Sequence, residues 1–352
     1  MRAIAVFVKN LTSGGAEKQS VLLAKALMWD YEVHYIIFNG KKVHQKYINM
    51  LECDRKIHIH KLEGCFFGKF TAFFTLLKQN DIKAIFSYLT AANFYACMTG
   101  LCYKTNVYTG LRNAKLPLLK LWIDRCMANH FATCAISNCY SGKEYFVERG
   151  FKERKIIVIP NCIDEIFPYT KKYANDVIRI ITVGRFVAQK DYETAIHAIS
   201  DLRKINANIR FMLVGYGDLE NQIRKWVDKY GINAITDICI NPNNISDLLN
   251  QADIYLSTSL FEGTSNSIME AMNANLPIVA TDVGDNKYLV AENRNGFLHK
   301  AGDFSNISKS LTMLVDNEEL RVSMGKYSKQ LLSDKYSTKP FKEKYIQLLK
   351  SE

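Results

Sequence analysis

Continuous apolar runs that alternate with helical segments constrain the fold of this chain more than any other feature. The runs Ile4–Val8 and Phe211–Val214 contain apolar residues only, without the polar residue at every second position that a half-exposed strand shows. Such runs are typical of strands buried on both faces, as in parallel sheets covered by helices. Helical segments such as Glu17–Met28 separate successive strands. The sequence therefore predicts a doubly wound α/β fold.

The pattern restarts near Pro160, which divides the strands into two series. At 352 residues the chain is longer than one typical domain, and the polar run Tyr169–Asp176 is typical of a hinge. We predict two Rossmann-like domains, residues 1–165 and 166–335, facing each other across a cleft, and a C-terminal helix in 336–352 that packs back on the first domain. The predicted strands are Ile4–Val8, Tyr31–Phe38, Lys83–Leu89, Asn106–Leu111, Phe131–Ser137 and Lys155–Ile159, then Ile178–Val183, Phe211–Val214, Ile235–Ile240, Ile254–Ser259 and Pro277–Thr281.

The positive charge is concentrated in the first half of the chain. Residues 1–170 contain 23 Lys and Arg against 13 Asp and Glu, whereas the remaining residues contain 23 against 22. A basic half joined to a neutral half indicates an anionic partner for the first domain, either a nucleic acid or an anionic membrane surface. The nine cysteines include no C-x-x-C pair, and no signal peptide precedes the first strand. We therefore expect a protein of the reducing cytoplasm.

One uncharged segment, Ala84–Tyr103, is long enough to span a bilayer. Ser87 and Asn93 interrupt it, and polar groups are costly in the bilayer core. We predict that it forms a buried strand, Lys83–Leu89, followed by a helix, Ala91–Tyr103.

Two glutamates eight residues apart, Glu262 and Glu270, enclose a polar turn and the start of a predicted helix. The strand run Ile254–Ser259 precedes them. A helix that begins where a parallel strand ends directs free N–H groups and the positive end of its dipole to the sheet edge, where an anion is favoured. With a carboxylate at each end to accept hydrogen bonds from hydroxyl groups, the segment suits a nucleotide sugar. Two glutamates on an ordinary surface helix are the alternative, since short motifs also match by chance.

Three further turns combine glycines or cations with the ends of predicted strands. Gly14 and Gly15 open the first helix, and Gly215 follows a strand of the second series. Glycines at such places let a ligand approach the backbone. Arg185 and Lys190 lie in the first turn of the second series, where a guanidinium and an ammonium group suit a diphosphate. Taken singly, the Gly14-Gly15 turn is better explained as a tight turn, and the turn at Gly215 has the same alternative. Arg185 and Lys190 are equally well explained as a solvated pair of surface cations.

The sequence lacks the patterns that hold metal ions on a diphosphate. It contains no D-x-D pair and no Walker-type lysine after a glycine loop. His58 and His60 alternate on one strand face, but we interpret them as structural because no Cys or carboxylate set lies near them in sequence. We therefore expect no metal and no other cofactor, with Arg185 and Lys190 in place of a metal ion.

Taken together, these segments resemble the retaining nucleotide-sugar glycosyltransferases of glycosyltransferase family 4, which have the GT-B architecture. The resemblance covers essentially the whole chain and is strongest from Ile178 to Asn286. Its last segment resembles the branch of the family that builds capsules, O-antigens and related surface glycans. The matching segments are GGAE at 14–17, PNCID at 160–164, GRFVAQK at 184–190 and EGTSNSIMEAM at 262–272.

The resemblance implies roles for individual residues. Arg185 and Lys190 would hold the diphosphate, Glu262 would contact the donor sugar, and Glu270 would bind the ribose. Arg185, Lys190 and Glu262 are thus the predicted catalytic residues. The predicted donor-binding residues are Gly14, Gly15, Arg185, Lys190, Gly215, Glu262, Thr264, Ser265, Asn266 and Glu270.

The chain departs from the family at two places. Many members have a histidine beside the donor sugar in the first domain, whereas the corresponding strand end here contains Arg112 and Asn113. We place these two residues on the acceptor or donor-sugar side of the site. The glycine that often follows the Pro-Asn dipeptide is Cys162, so we expect a different hinge conformation.

The predicted function is retaining transfer of a sugar from a nucleotide diphosphate sugar, with UDP as the nucleotide, to a glycan acceptor. The basic first domain and two apolar segments with lysines, Cys65–Lys78 and Lys115–Cys126, predict a polyprenyl-diphosphate-linked acceptor at the inner face of the cytoplasmic membrane. Two core helices with solvated lysine edges explain these segments equally well.

Two other functions remain open from the sequence. A nucleotide-sugar epimerase or a phosphorylase uses the same two-domain architecture without a glycan acceptor. A basic nucleic-acid-binding module is the alternative from another class of protein. Against it, the sequence shows no aromatic–glycine RNA-binding signature and no helix on which the basic residues cluster, so we expect no nucleic-acid partner.

Overall fold

The structure, a computed structural model, describes residues 2–12, 14–53, 56–112, 116–167 and 177–350. The strands in chain order are β1 Ala3–Val8, β2 Glu32–Ile37, β3 Ile57–Lys61, β4 Ala84–Tyr88, β5 Asn106–Leu111, β6 Cys134–Ser137, β7 Ile156–Val158, β8 Ile178–Arg185, β9 Ile209–Tyr216, β10 Thr236–Ile240, β11 Ile254–Ser257, β12 Ile278–Thr281 and β13 Gly296–His299. The helices are α1 Gly15–Leu27, α2 Gln45–Glu52, α3 Phe66–Gln79, α4 Thr90–Tyr103, α5 Leu118–Cys126, α6 Tyr140–Glu148, α7 Tyr192–Ile205, α8 Glu220–Lys229, α9 Ile245–Gln251, α10 Asn266–Asn273, α11 Asn286–Leu289, α12 Phe304–Asp316, α13 Glu318–Tyr336 and α14 Thr338–Lys350.

The chain divides into two units, and the first of them is discontinuous. The first unit comprises Met1–Asp164 and Thr338–Glu352, and the second comprises Glu165–Ser337. The helix α14 therefore belongs to the first unit, although the whole second unit precedes it in sequence.

The first unit is a parallel sheet covered by helices. Its strands pair in the order β3-β2-β1-β4-β5-β6-β7 within the described residues. Ile4 and Val6 of β1 lie in the core with α1, α2 and α14, whereas Ala5 and Phe7 lie in the core with α3 and α4. Both faces of β1 are thus buried, as its continuous apolar run predicts.

The second unit repeats this construction with its own sheet. In the described residues its strands are parallel in the order β10-β9-β8-β11-β12-β13. Ile180 of β8 and Phe211 of β9 pack with α7, α8 and α12, while α10 packs against β11, β12 and α13. The predicted doubly wound α/β fold is confirmed in both units.

The uncharged segment that is long enough to span a bilayer forms β4 and α4, so the predicted strand and helix are confirmed. Across the described ranges, no helix combines the length and the apolar character that a membrane crossing requires.

One predicted strand was wrong in part, and one strand of the structure was not predicted. The strand predicted from Phe131 begins only at Cys134, because Met127–Phe131 forms a π-helical turn that the Ala132 N–H closes on the Met127 carbonyl. The strand β13 was not predicted, because it begins with Gly296 and contains only two apolar residues, Phe297 and Leu298. A Cβ at Gly296 would lie 1.8 Å from the Ile278 carbonyl oxygen, so the glycine permits the pairing with β12.

A histidine cluster on β2 and β3 corrects a further expectation. His58 and His60 were expected to lack a carboxylate, yet Glu32 Oε1 lies 3.4 Å from His58 Nε2 and 3.5 Å from His34 Nε2. The sequence hid this because parallel pairing of β2 with β3 brings the four side chains together. His34 Nδ1 and His60 Nε2 are 3.0 Å apart, and the His34 ring stacks on both other rings. Among the described residues, no group of His, Cys, Asp and Glu is arranged to hold a metal ion.

Acid is expected to destabilise the first unit through His34. Burial and the neighbouring His60 and His58 lower the pKa of His34 from 6.5 to about 4. Below pH 6.5, His34 binds a proton in the unfolded chain but remains neutral in the folded chain. Protonation therefore favours the unfolded state, and the free energy of unfolding decreases as the pH falls from 6.5 toward 4. A shift of this size corresponds to about 3 kcal/mol.

Hydrogen exchange of the β2 peptide from pH 7 to pH 4.5, corrected for intrinsic rates, measures this loss. His34→Gln should reduce the pH dependence, whereas His130→Gln, which alters an exposed histidine, should leave it unchanged. An undiminished pH dependence in His34→Gln would show that other groups cause the acid sensitivity.

Candidate active site

Three neighbouring strands of the second unit bring predicted site residues to one edge of its sheet. The strand β8 lies between β9 and β11, and all three are parallel. Arg185 ends β8, Gly215 lies near the end of β9, and residues 258–270 follow β11. Turns that are far apart in sequence therefore meet at the carboxyl edge, where ligands bind in sheets of this type.

Lys190 and Glu262 form a short ion pair at this edge. Lys190 Nζ lies 2.5 Å from Glu262 Oε1, and the two side chains are only 17% and 9% exposed. Ser259 Oγ donates a second hydrogen bond to the same oxygen, at 2.7 Å. Partial burial strengthens such contacts relative to those of a surface pair. Neither contact uses Glu262 Oε2.

The turn after β8 and the turn after β11 are joined by further hydrogen bonds. Thr258 Oγ1 donates to the Lys190 and Asp191 carbonyl oxygens, at 3.0 and 2.8 Å. Gln189 Nε2 donates to the Phe261 carbonyl oxygen at 2.7 Å, and the Gln189 carbonyl accepts from the Leu260 N–H at 2.8 Å. These contacts hold the backbones on which the ion pair stands.

The residues that make these contacts were missed by the sequence analysis. The available signals were the hydroxyl pair Thr258-Ser259 directly after β11 and the amide side chain of Gln189 beside Lys190. Neither signal indicates a partner in the other turn, which only the pairing of β8 with β11 reveals.

The aliphatic part of Lys190 lies against the end of β8. A Cβ at Gly184 would be 3.2 Å from Lys190 Cε and 3.2 Å from the Tyr192 hydroxyl oxygen. Burial raises the pKa of Tyr192, so this hydroxyl stays protonated and donates to the Gly184 carbonyl oxygen at 2.9 Å. The aliphatic part of the Lys190 side chain is thus closely packed, which restricts the position of its ammonium group.

The helix α10 begins beside Glu262, as predicted. Ser265 caps it by accepting a hydrogen bond from the Ile268 N–H, and Thr264 and Ser265 are buried. Asn266 is the first helical residue and Glu270 lies four residues further along the same helix. The N–H groups and the positive dipole end at the start of a helix favour an anion or an electronegative sugar oxygen.

Two glycines permit the closest backbone approaches in this region. A Cβ at Gly215 would lie 1.8 Å from the Gly184 carbonyl oxygen. Gly284 has a φ of +55°, and a Cβ there would lie 2.0 Å from the Glu262 carbonyl oxygen. Gly284 therefore supports the backbone of Glu262, a role that the sequence analysis missed because Gly284 lies on a different loop, after β12.

The residues predicted in the first unit have different surroundings. Gly14 caps α1 and Gly15 begins it. A Cβ at Gly14 would lie 2.3 Å from Glu17 Oε2, whereas Glu17 Oε1 accepts a hydrogen bond from Thr12 Oγ1. The glycine thus makes room for an acidic side chain at the start of the helix.

Arg112 is held in the interior of the first unit. Its guanidinium group donates to Asn161 Oδ1 at 3.2 Å and to the Tyr345 hydroxyl at 3.3 Å, and it lies 4.7 Å from the centre of the Tyr88 ring. These contacts tie the end of β5 to α14. A contact of Arg112 with a sugar stays a prediction, and Asn113 lies outside the described residues.

Cys162, which replaces the expected glycine, is tied to α1. The side-chain amide of Gln19 accepts from the Cys162 N–H at 3.0 Å and donates to the Cys162 carbonyl oxygen at 2.8 Å. Burial raises the pKa of the Cys162 thiol, so it stays protonated and acts as a small packed side chain.

Comparison with known families identifies the unit that contains the ion pair. Residues 165–331 match the family described as glycosyl transferases group 1. The second unit is a group 1 glycosyltransferase domain. The residues that match the family agree closely with the bounds of this unit, Glu165–Ser337.

Two curated relatives match nearly the whole chain, and a third matches about half of it. An α-1,4-N-acetyl-D-galactosaminyltransferase of Campylobacter jejuni, named for a GalNAc-containing undecaprenyl-diphosphate substrate, is 23% identical over 99% of this chain and 98% of its own. A second such enzyme of C. jejuni is 23% identical over 91% and 92% of the two chains. A poly(ribitol-phosphate) α-N-acetylglucosaminyltransferase of Staphylococcus aureus is 25% identical, over 48% of this chain and 34% of its own.

Solved structures confirm the predicted GT-B fold. Anabaena HepE in complex with UDP superposes with a TM-score of 0.85 over all of both chains, at 16% identity. A glycosyltransferase from Rickettsia africae superposes with a TM-score of 0.83 over 99% of this chain and 98% of its own, at 15% identity.

Substitution of Gly284 should disturb the site far more than substitution of a comparable glycine. Gly284→Ala adds a methyl group against the Glu262 backbone at a positive φ, so we expect a large loss of stability. Gly302→Ala provides the matched control, because Gly302 also has a positive φ, +81°, but nothing lies within 4 Å of its Cβ position. The control should lose only about 1 kcal/mol. Thermal unfolding of both variants measures the difference, and equal losses in the two variants would contradict a supporting role for Gly284.

Proposed function

We propose that this glycosyltransferase transfers a sugar from a UDP-sugar to a glycan acceptor with retention at the anomeric carbon. The observation that carries the proposal is the Lys190–Glu262 ion pair, held beside Arg185 and the start of α10 in a group 1 domain. The arrangement offers cations for a diphosphate next to a carboxylate for sugar hydroxyl groups. The UDP complex of the similar HepE structure supports the choice of nucleotide.

Each group of the donor has a partner in this proposal. The diphosphate contacts Arg185 and Lys190, while Glu262 Oε2 and the N–H groups at the start of α10, in Thr264, Ser265 and Asn266, receive the sugar. Glu270 accepts hydrogen bonds from the ribose, and Gly215 borders the nucleoside. Gly14 and Gly15 of the first unit stay predicted donor-binding residues.

The reaction proceeds on one face of the sugar. The bond between the anomeric carbon and the diphosphate oxygen breaks as the acceptor oxygen bonds to the same face of that carbon. The acceptor proton passes to the departing phosphate oxygen. Arg185 and Lys190 stabilise the negative charge that develops on the diphosphate, and Glu262 orients Lys190 and the sugar. In this proposal the enzyme needs no metal ion and no other cofactor.

The proposed acceptor is a glycan linked to a polyprenyl diphosphate. The C. jejuni relatives named for undecaprenyl-diphosphate substrates, one of them matched over nearly the whole chain, support this choice. The product would be a bacterial surface polysaccharide, such as a capsule or an O-antigen.

A face of the first unit suits an anionic membrane surface. The helix α4 packs against both α3 and α5, so the three form one layer. The most exposed apolar side chains of this three-helix layer are Phe67 (79%), Leu118 (85%), Leu119 (71%) and Trp122 (58%). The three helices contain four basic residues and one acidic residue, Asp124, which is buried.

Apolar side chains framed by uncompensated cations match the interface of an anionic bilayer. We therefore propose that the first unit binds the inner face of the cytoplasmic membrane. In this proposal its excess of Lys and Arg attracts anionic lipids and the anionic acceptor, and not a nucleic acid. Part of α3 nevertheless lies in the core, as the alternative interpretation expected, since Phe73 and Leu77 are buried.

The test of the proposed function is nucleotide binding. Glu270→Ala should weaken UDP binding by about 1.5–3 kcal/mol, because a charged hydrogen-bond acceptor for the ribose is lost. Glu319→Ala, which changes an exposed glutamate of α13, should bind UDP as the unchanged protein does. Calorimetry measures both, and unaltered affinity in a folded Glu270→Ala variant would remove Glu270 from the site.

Turnover should survive removal of divalent metals. With a UDP-sugar that the enzyme accepts, release of UDP should continue in excess EDTA, while Arg185→Ala and Lys190→Ala should reduce kcat more than they raise KM for the donor. Loss of turnover in chelator that magnesium or manganese restores would refute the metal-independent mechanism.

Membrane binding should depend on the exposed side chains of α5. The triple variant Leu118→Ser, Leu119→Ser, Trp122→Ser should sediment poorly with phosphatidylglycerol vesicles at low salt. The control variant Ile205→Ser, Met313→Ser, which alters exposed apolar residues of the second unit, should sediment normally. If the unchanged protein ignores these vesicles at low salt, the membrane proposal fails and a water-soluble acceptor replaces it.

A further inference from the structure

The carboxyl edge of the sheet in the first unit carries a group of lysines that the donor site does not use. Lys9 directly follows β1, Lys41 and Lys42 lie in the loop after β2, Lys61 ends β3, and Lys69 lies in the first turn of α3. We call these five residues the lysine patch. All are exposed except Lys69, which is partly buried.

Backbone contacts bring the patch together. The Asn39 N–H donates to the Lys9 carbonyl oxygen, and the Leu11 N–H donates to the Lys42 carbonyl oxygen, both at 2.9 Å. Gly40 lies against the end of β3, where a Cβ on this residue would be 2.8 Å from Lys61 Cβ. The ends of β1, β2 and β3 thus present their lysines side by side.

Lys69 is held in place by neutral partners. Its Nζ donates to Asn39 Oδ1 at 3.0 Å and lies 5.3 Å from the centre of the Phe38 ring, which is within the range of a cation–π contact. Asn39 Nδ2 in turn donates to Asn10 Oδ1 at 2.8 Å. A side chain oriented in this way has already lost much of the freedom that a ligand would otherwise have to restrict.

The charge of the patch is not compensated within the described residues. No carboxylate in that part of the chain forms an ion pair with any of the five lysines. The acids nearest in sequence or by contact are Glu63, which is exposed, and Glu17, which accepts from Thr12. The whole first unit contains 27 Lys and Arg against 14 Asp and Glu. Cations gathered in this way repel one another, and an anionic ligand relieves that repulsion.

We propose that the lysine patch binds the diphosphate of the prenyl-linked acceptor, an assignment that rests on the glycosyltransferase function proposed above. The carboxyl edge of a parallel sheet is where such folds bind ligands, and lysines are effective point charges for phosphate oxygens. The exposed Phe67 lies two residues before Lys69 on α3. Residues two apart on a helix are about 200° apart around its axis, so Phe67 offers the lipid part of the acceptor an apolar contact beside the patch rather than within it.

The test uses the full chain, with farnesyl diphosphate as the probe and inorganic pyrophosphate and farnesol as comparisons. The patch variant is Lys42→Gln, Lys61→Gln, Lys69→Gln. The control variant is Lys56→Gln, Lys104→Gln, Lys152→Gln, which removes the same charge from exposed lysines at the amino ends of the strands. Each protein is titrated with each probe and, separately, with UDP.

The unchanged protein and the control variant should bind farnesyl diphosphate more tightly than pyrophosphate, and farnesol weakly. The patch variant should bind farnesyl diphosphate about tenfold more weakly or worse, a loss of about 1.4 kcal/mol, with unchanged affinity for UDP. Equal affinity in the patch and control variants overturns the assignment, and binding of pyrophosphate as tight as that of farnesyl diphosphate indicates a site for free phosphates. Failure of the unchanged protein to bind UDP would instead refute the proposed function.

Discussion

Parallel pairing of strands that are buried on both faces governs where chemistry can occur in this protein. The faces of each sheet are covered by helices, so polar side chains can gather only where the strands end. In the second unit this edge carries Arg185, the Lys190–Glu262 pair and the start of α10. In the first unit the same kind of edge carries the lysine patch. One rule of construction thus provides a cationic edge in each of the two units.

The Lys190–Glu262 ion pair joins two turns that are also connected to each other by hydrogen bonds. Four hydrogen bonds join the turn after β8 to the turn after β11, and a fifth, from Ser259, reaches Glu262 itself. A partly buried cation and anion on independent loops would lose much of their attraction to motion and to solvent. Here the backbone keeps them in contact. A bound diphosphate would therefore meet a lysine whose position is already determined.

The sequence was sufficient for the fold and for the place of the donor site, because both depend on local patterns. Apolar runs located most strands to within one or two residues, as for β1 and β5. Contacts between segments far apart in sequence were not predictable in this way. Thr258 and Gln189 have ordinary local surroundings, and only strand pairing gives them partners. Glu32 reaches His58 for the same reason, whereas β13 contains only two apolar residues after a glycine, so no apolar run marks it.

The discontinuity of the first unit has a consequence for synthesis of the protein. Phe341, Tyr345 and Leu349 of α14 lie in the core of that unit, and the Tyr345 hydroxyl accepts a hydrogen bond from Arg112. The ribosome makes these residues only after all of the second unit has been synthesised. The second unit can therefore close while the first still exposes the apolar groove that α14 will cover. Until then, the nascent chain holds a finished glycosyltransferase group 1 domain tethered to an unfinished partner, which is a natural substrate for chaperones.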